Sequence, residues 1–115
     1  MSHEMLLKTL VGLGLKEVDA EVYLLLAKEG SQNGRNIAEA LKLYKQQLYR
    51  SLKRLQGKNI VSATPERPAS FSAVPLENIL DFWIEVKKEQ ALALQEGKER
   101  LLSSWKTIVK EFTDS

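Results

Sequence analysis

Between Tyr44 and Arg54 the chain carries side chains suited to holding and reading a polyanion. At 100° per residue, Gln46, Tyr49, Arg50 and Lys53 share one helical stripe, while Leu48, Leu52 and Leu55 lie on the opposite one. Glutamine pairs bidentately with adenine and arginine with guanine, each worth ~1–3 kcal/mol of base discrimination. Lysines and further arginines hold phosphates, which adds affinity without sequence information. Gln46, Gln47 and Arg50 are therefore candidate base readers, and Lys45, Lys53 and Arg54 candidate backbone contacts. Tyr44 and Tyr49 are open: either ring can pack inward with only its hydroxyl reaching a phosphate. Arg67, at the tip of a proline-bearing turn, is a candidate for a minor groove, although Glu66 beside it opposes that use. The plain alternative for each is an ordinary solvated helix surface.

Charge placement favours the sharper reading. The chain of 115 residues has a net charge of only +2. Between Gly30 and Pro65, however, seven basic residues (Arg35, Lys42, Lys45, Arg50, Lys53, Arg54, Lys58) face Glu39 alone, a local +6 that leaves −4 for the remainder. Such a field gains counterion-release free energy from DNA whatever the overall charge. Other chemistry is scarce. There is no cysteine, and the one histidine, His3, lies near the terminus, so thiolate metal sites, disulfides and a Ser–His–Asp arrangement lack their parts. No cofactor is expected. The longest apolar run, Val22–Ala27, is six residues, against the ~20 a membrane helix needs. The N-terminus lacks the pattern of a signal peptide, which points to the cytoplasm and away from a membrane.

The elements that would position these side chains follow from periodicity. A short amphipathic helix spans about Glu4–Val11. A second, from Lys16 to Glu29, has Val18, Val22, Leu25 and Leu26 at helical spacing, acids in its first turns and Gly30 to close it. Asn33 caps a third, roughly Gly34–Lys42, with Ile37, Ala38 and Leu41 inward. After a break at Leu43–Tyr44 a fourth runs to about Gly57, and Asn59 follows where a left-handed residue is wanted. Ile60–Thr64 and Ala69–Val74 alternate around a turn with two prolines and read as a hairpin. Pro75 suits the first position of a long helix extending to about Phe112. The fold class expected is mainly α: a winged helix-turn-helix with a two-stranded wing and a long C-terminal dimerisation helix. Domains 1–75 and 76–115 correspond to these two parts.

Four stretches resemble the TrmB-like winged-helix transcriptional regulators. Leu13–Gly30 (LGLKEVDAEVYLLLAKEG) is similar to the family's opening helix, and Arg35–Leu43 (RNIAEALKL) to the first helix of its helix-turn-helix. Gln47–Val61 (QLYRSLKRLQGKNIV) resembles its recognition helix, and Pro68–Leu80 (PASFSAVPLENIL) its wing strand running into the long helix. The likeness covers about Met5 to Val86. Tyr44 stands where the family prefers a better cap, Asn59 replaces a glycine and Phe71 a common tyrosine. Larger members carry a C-terminal sensor domain. None follows the long helix here, so the resemblance is to DNA-binding-only members or to a fragment of a larger one. It implies sequence-specific binding of double-stranded DNA by a dimeric regulator, with residues 44–57 in the major groove. The small-molecule effector stays undetermined.

The last helix is too long to lie against a domain of this size. Leu80, Ile84, Lys87, Ala91, Leu94, Lys98, Leu101, Trp105, Ile108 and Phe112 alternate steps of four and three, and eight of these ten are apolar. That is a heptad seam in want of a partner helix, and a homodimer supplies one. Ile79, Trp83 and Val86 form a second stripe suited to the helix's own domain. Lys87 and Lys98 interrupt the seam, and Gly97, costing ~1 kcal/mol relative to alanine, offers a place to bend. Two other classes of function compete. One is a winged helix devoted to protein–protein contact, which would not need the basic helix. The other is an enzyme, for which neither a base nor a glycine-rich phosphate loop is present.

Overall fold

The computed structural model describes residues 2–113. Its elements run α1 (His3–Gly12), α2 (Glu17–Glu29), β1 (Gln32–Asn33), α3 (Gly34–Leu41), α4 (Lys45–Gly57), β2 (Val61–Ala63), β3 (Ser70–Ala73) and α5 (Leu76–Thr113). Helices α3 and α4 form the helix-turn-helix, and β2 and β3 form the wing. The chain divides into two units within α5, at Ile79.

Local chemistry explains most boundaries. The Ser2 hydroxyl accepts from the Met5 N–H to start α1, and the Asn33 carboxamide accepts from the Asn36 N–H to start α3. Gly30 closes α2 at φ 83°, as its type suggested. Among the described residues, two other than glycine take positive φ. Asn59, at 59°, was expected; Lys42, at 55°, makes the tight turn between α3 and α4 and was read as helix. Pro75 lies outside α5, contrary to its expected place as first helical residue. Its carbonyl accepts from the N–H groups of Asn78 and Ile79, so it serves as the cap instead.

The sheet has three strands, not the two expected for the wing alone. Its order is β1-β3-β2, all antiparallel, with Gln32 opposite Phe71, Asn33 opposite Ser70 and Val61 opposite Ala73. A two-residue strand of glutamine and asparagine has neither alternation nor β-propensity to announce it. It exists because β3 offers a free edge.

Helix α2 is the centre of the first unit, packing on α1, α3, α4 and β3. Val22 and Leu26 are fully enclosed, together with Ile37 of α3, Leu48, Leu52 and Leu55 of α4, and Ile60, and Phe71 is buried with them. Val18, Leu25, Ala38 and Leu41, also expected inward, are only half-buried because they lie at the edges of these stripes. The Tyr23 hydroxyl donates to the Val74 carbonyl at 2.7 Å, tying α2 to the end of β3, and burial raises its pKa. In the second unit, α5 continues through Gly97 without interruption. Leu80, Ile84, Ala91, Leu94, Leu101, Trp105 and Ile108 are solvent-exposed in the single chain, and the Phe112 side chain lies outside the described ones. Among the described residues no helix is long and apolar enough to cross a membrane.

Helix α4 depends on this core for its place. Leu52→Ala, at a fully buried position, is expected to cost about 2–5 kcal/mol in urea unfolding, reflecting lost transfer energy and a residual cavity. Lys53→Ala, one residue on and exposed, is expected to stay within about 0.5 kcal/mol of the parent.

Candidate nucleic-acid interface

Helix α4 begins at Tyr44, whose backbone is extended (φ −70°, ψ 149°). A tyrosine cannot cap as serine does, so the Gln47 side chain turns back and its Oε1 accepts from the Tyr44 N–H at 3.3 Å. This corrects one expectation: the acceptor of Gln47 closes the helix start rather than standing free for a base. Tyr44 itself projects, 83% exposed, so its ring is not packed inward.

Lys45, Gln46, Arg50 and Lys53 are all exposed, and the last three lie on the side of α4 opposite Leu48, Leu52 and Leu55. Tyr49 is about half exposed, at 48%. The Lys45 ammonium lies 5.9 Å from the centre of the Tyr49 ring, within reach of a cation–π attraction. Beside the hydroxyl end of that tyrosine lies Gly34, where an added Cβ would stand 3.1 Å from the phenolic oxygen. The absence of a side chain at Gly34 lets the Tyr49 hydroxyl settle over the start of α3.

A cleft of about 730 Å³ opens between this tyrosine, the start of α3 and the wing turn, lined by residues that include Arg35, Thr64 and Arg67. Thr64 closes the turn twice, its N–H donating to the Ser70 carbonyl and its hydroxyl accepting from the Ser70 N–H, each at 2.9 Å. Arg67 is exposed, as expected for a wing tip. Arg35, missing from the expected site residues, borders the same cleft. Its Nε is 3.4 Å from Glu39, but both side chains are almost wholly in water, where such a pair holds weakly. Its sequence signal was membership of the basic run.

Arg54 behaves differently from the other cations. Its Nε donates to Asp19 Oδ2 at 2.9 Å and its Nη2 to Oδ1 at 2.8 Å, a two-pronged fork. Ser51 donates to the same Oδ1 at 2.6 Å, and Asp19 is completely buried. Arg54, expected as a phosphate contact, is thus half-buried and paired within the protein, because the one buried carboxylate among the described residues claims it. Burial alone would raise the Asp19 pKa. The hydrogen bonds from Arg54 and Ser51, with the charges of Arg54 and Lys58, outweigh that and hold it below the usual carboxylate value. Asp19 passed unnoticed in the sequence as one of three acids matching a helix dipole. Its signal was its position: with Val22 and Leu26 it completes an i, i+3, i+7 stripe that must face inward.

A helix-turn-helix with a cationic outward face, a wing beside it and a cleft between them defines a winged-helix module of the kind transcriptional regulators carry. Residues 10–77 match the family model described as "Sugar-specific transcriptional regulator TrmB". The chain belongs to the TrmB family. Similar solved structures share the fold. TrmBL2, described as an archaeal chromatin protein that shows a novel mode of DNA binding, aligns over 100% of this chain and 45% of its own, with TM-score 0.82 and 18% identity. This chain therefore spans less than half the length of that protein. ST1889 from Sulfolobus tokodaii aligns over 70% of this chain and 85% of its own, with TM-score 0.60 and 25% identity. A possible transcriptional regulator from Methanosarcina mazei Go1 covers 76% and 80%, with TM-score 0.63 and 22% identity. No curated protein sequence matches significantly.

The buried carboxylate makes stability sensitive to acid. Because its folded pKa lies below the unfolded one, the stabilisation is fully present above the usual carboxylate value, about pH 4, and is lost as pH falls through the folded value. Urea unfolding across a pH series is expected to show a steeper acid limb for the parent than for Asp19→Asn. Identical limbs would remove Asp19 as the group responsible.

Proposed function

We propose that this chain is a transcriptional regulator that binds a specific double-stranded DNA sequence as a homodimer in the cytoplasm, with α4 in the major groove. The observation that carries this reading is the division of α4 into a buried leucine face and an exposed face of Gln46, Tyr49, Arg50 and Lys53. Gln46 and Arg50 are the base readers. Lys45, Lys53 and, from the wing, Arg67 hold phosphates, with Tyr44 and Tyr49 flanking them. Arg35 extends the phosphate-facing surface along α3. Family membership and the likeness to a chromatin protein with a described mode of DNA binding support DNA as the partner. A dedicated protein–protein module would have no use for this concentration of exposed cations.

The exposed apolar residues of α5 supply the argument for a dimer. Leu94 and Trp105 are 63% and 62% exposed, too much apolar surface to leave in water along so regular a seam. A second copy of the same helix, pairing through Leu80, Ile84, Ala91, Leu94, Leu101, Trp105, Ile108 and Phe112, buries it. Two-fold symmetry then presents two copies of α4 about 34 Å apart, which calls for a pseudo-palindromic site.

Selection of bound sequences from a random duplex pool supplies the site. Arg50→Ala is expected to lower affinity for it about tenfold or more while affecting random duplex little. Lys53→Ala is expected to weaken both alike and reduce the salt slope by about one. Equal losses on both duplexes for Arg50→Ala would refute base reading. In light scattering, the parent is expected as a species of twice the 13.0 kDa chain mass. Leu94→Glu/Trp105→Glu is expected to give the single-chain mass, and a parent that stays at 13.0 kDa at every concentration would rule out the dimer.

A further inference from the structure

We infer that Asp19 is a positioning residue for DNA recognition: buried in α2, it sets the rotation of α4 by gripping Ser51 and Arg54. The inference rests on the sequence-reading role proposed for α4. Hydrophobic contact is non-directional, so Leu48, Leu52 and Leu55 anchor the helix without fixing closely how it is turned about its axis. A guanidinium–carboxylate fork is directional, and here it is joined by a third donor one helical turn away on the same element. Ser51 and Arg54 lie to one side of the outward stripe, so holding them fixes the angle at which Gln46 and Arg50 face out. Asp19 lies in the first turn of α2, where the helix dipole favours an anion, and α2 is itself held by α1, α3 and β3. The reference point is therefore rigid. Base reading tolerates little rotation, because a bidentate pair needs both of its hydrogen bonds. Phosphate holding by lysine tolerates much more, since the ammonium is a point charge on a flexible stem. The same fork removes Arg54 from the set of charges that meet DNA.

Replacing both partners by leucine tests this, because exchanging an ion pair for apolar residues of similar volume commonly preserves the fold. In Asp19→Leu/Arg54→Leu, preference for the selected site over random duplex is expected to fall about tenfold or more, with the salt slope close to the parent's. Lys53→Ala serves as the control that does lower the slope. Arg54→Lys, which keeps the charge but cannot form the fork, is expected to lose preference in the same direction, and it decides the matter should the leucine pair not fold. A well-folded variant of either kind that keeps full preference overturns the positioning role. A slope lowered by one in the leucine pair would show that Arg54 meets phosphate and would also overturn it. If the parent itself shows no preference, the sequence-reading proposal fails and this inference fails with it, a result distinct from preference retained by parent and variant alike.

Discussion

One carboxylate with no access to water constrains this molecule more than any other group. Asp19 is ionised and fully enclosed, a state that costs several kcal/mol unless donors meet both of its oxygens. Ser51 and the fork of Arg54 meet them, and among the described residues no buried side-chain polar atom is left without a partner. The donors come from the helix that carries the outward cationic face, so the demand of one buried charge becomes a constraint on the orientation of the functional surface. Apolar packing brings α2 and α4 together, and the carboxylate selects among the ways they could meet.

The cationic surface differs from the inventory of cations for the same reason. Of the basic residues between Gly30 and Pro65, Arg54 is half-buried and paired with Asp19, and Arg35 shares its charge weakly with Glu39. What faces outward on α4 is Lys45, Arg50 and Lys53, with Gln46 among them. Tyr49 belongs to this face and to the scaffold at once, its hydroxyl resting over Gly34 and its ring beside Lys45. A glycine at the start of α3 and a tyrosine on α4 thus share one small volume, which ties the two helices of the motif together close to the wing cleft.

Helix α5 poses a different problem. Its first turns end the folded unit with Ile79 buried, and beyond that point exposed apolar side chains recur at heptad spacing. That spacing was legible in the residues because heptad periodicity is a one-dimensional property of a sequence. The helix-turn-helix was legible likewise: alternating buried and exposed stripes, a capping asparagine, a closing glycine and a left-handed asparagine are all local signals. The third strand was not, since two polar residues form a strand only when an edge is already waiting for them.

The amino-acid order therefore determined by itself the helices, the wing, the apolar face of α4 and the concentration of positive charge, because each depends on neighbours within a few residues. Tertiary structure alone decided which cations on α4 are paired with protein and how that helix is turned. The partner of Arg54 lies thirty-five positions away in sequence, and only folding brings that carboxylate to it. The commitment of Gln47 to the start of its own helix was settled by local geometry. The physical reason for the difference is that periodicity records which side of a helix is apolar, whereas a charge pair records where two helices meet.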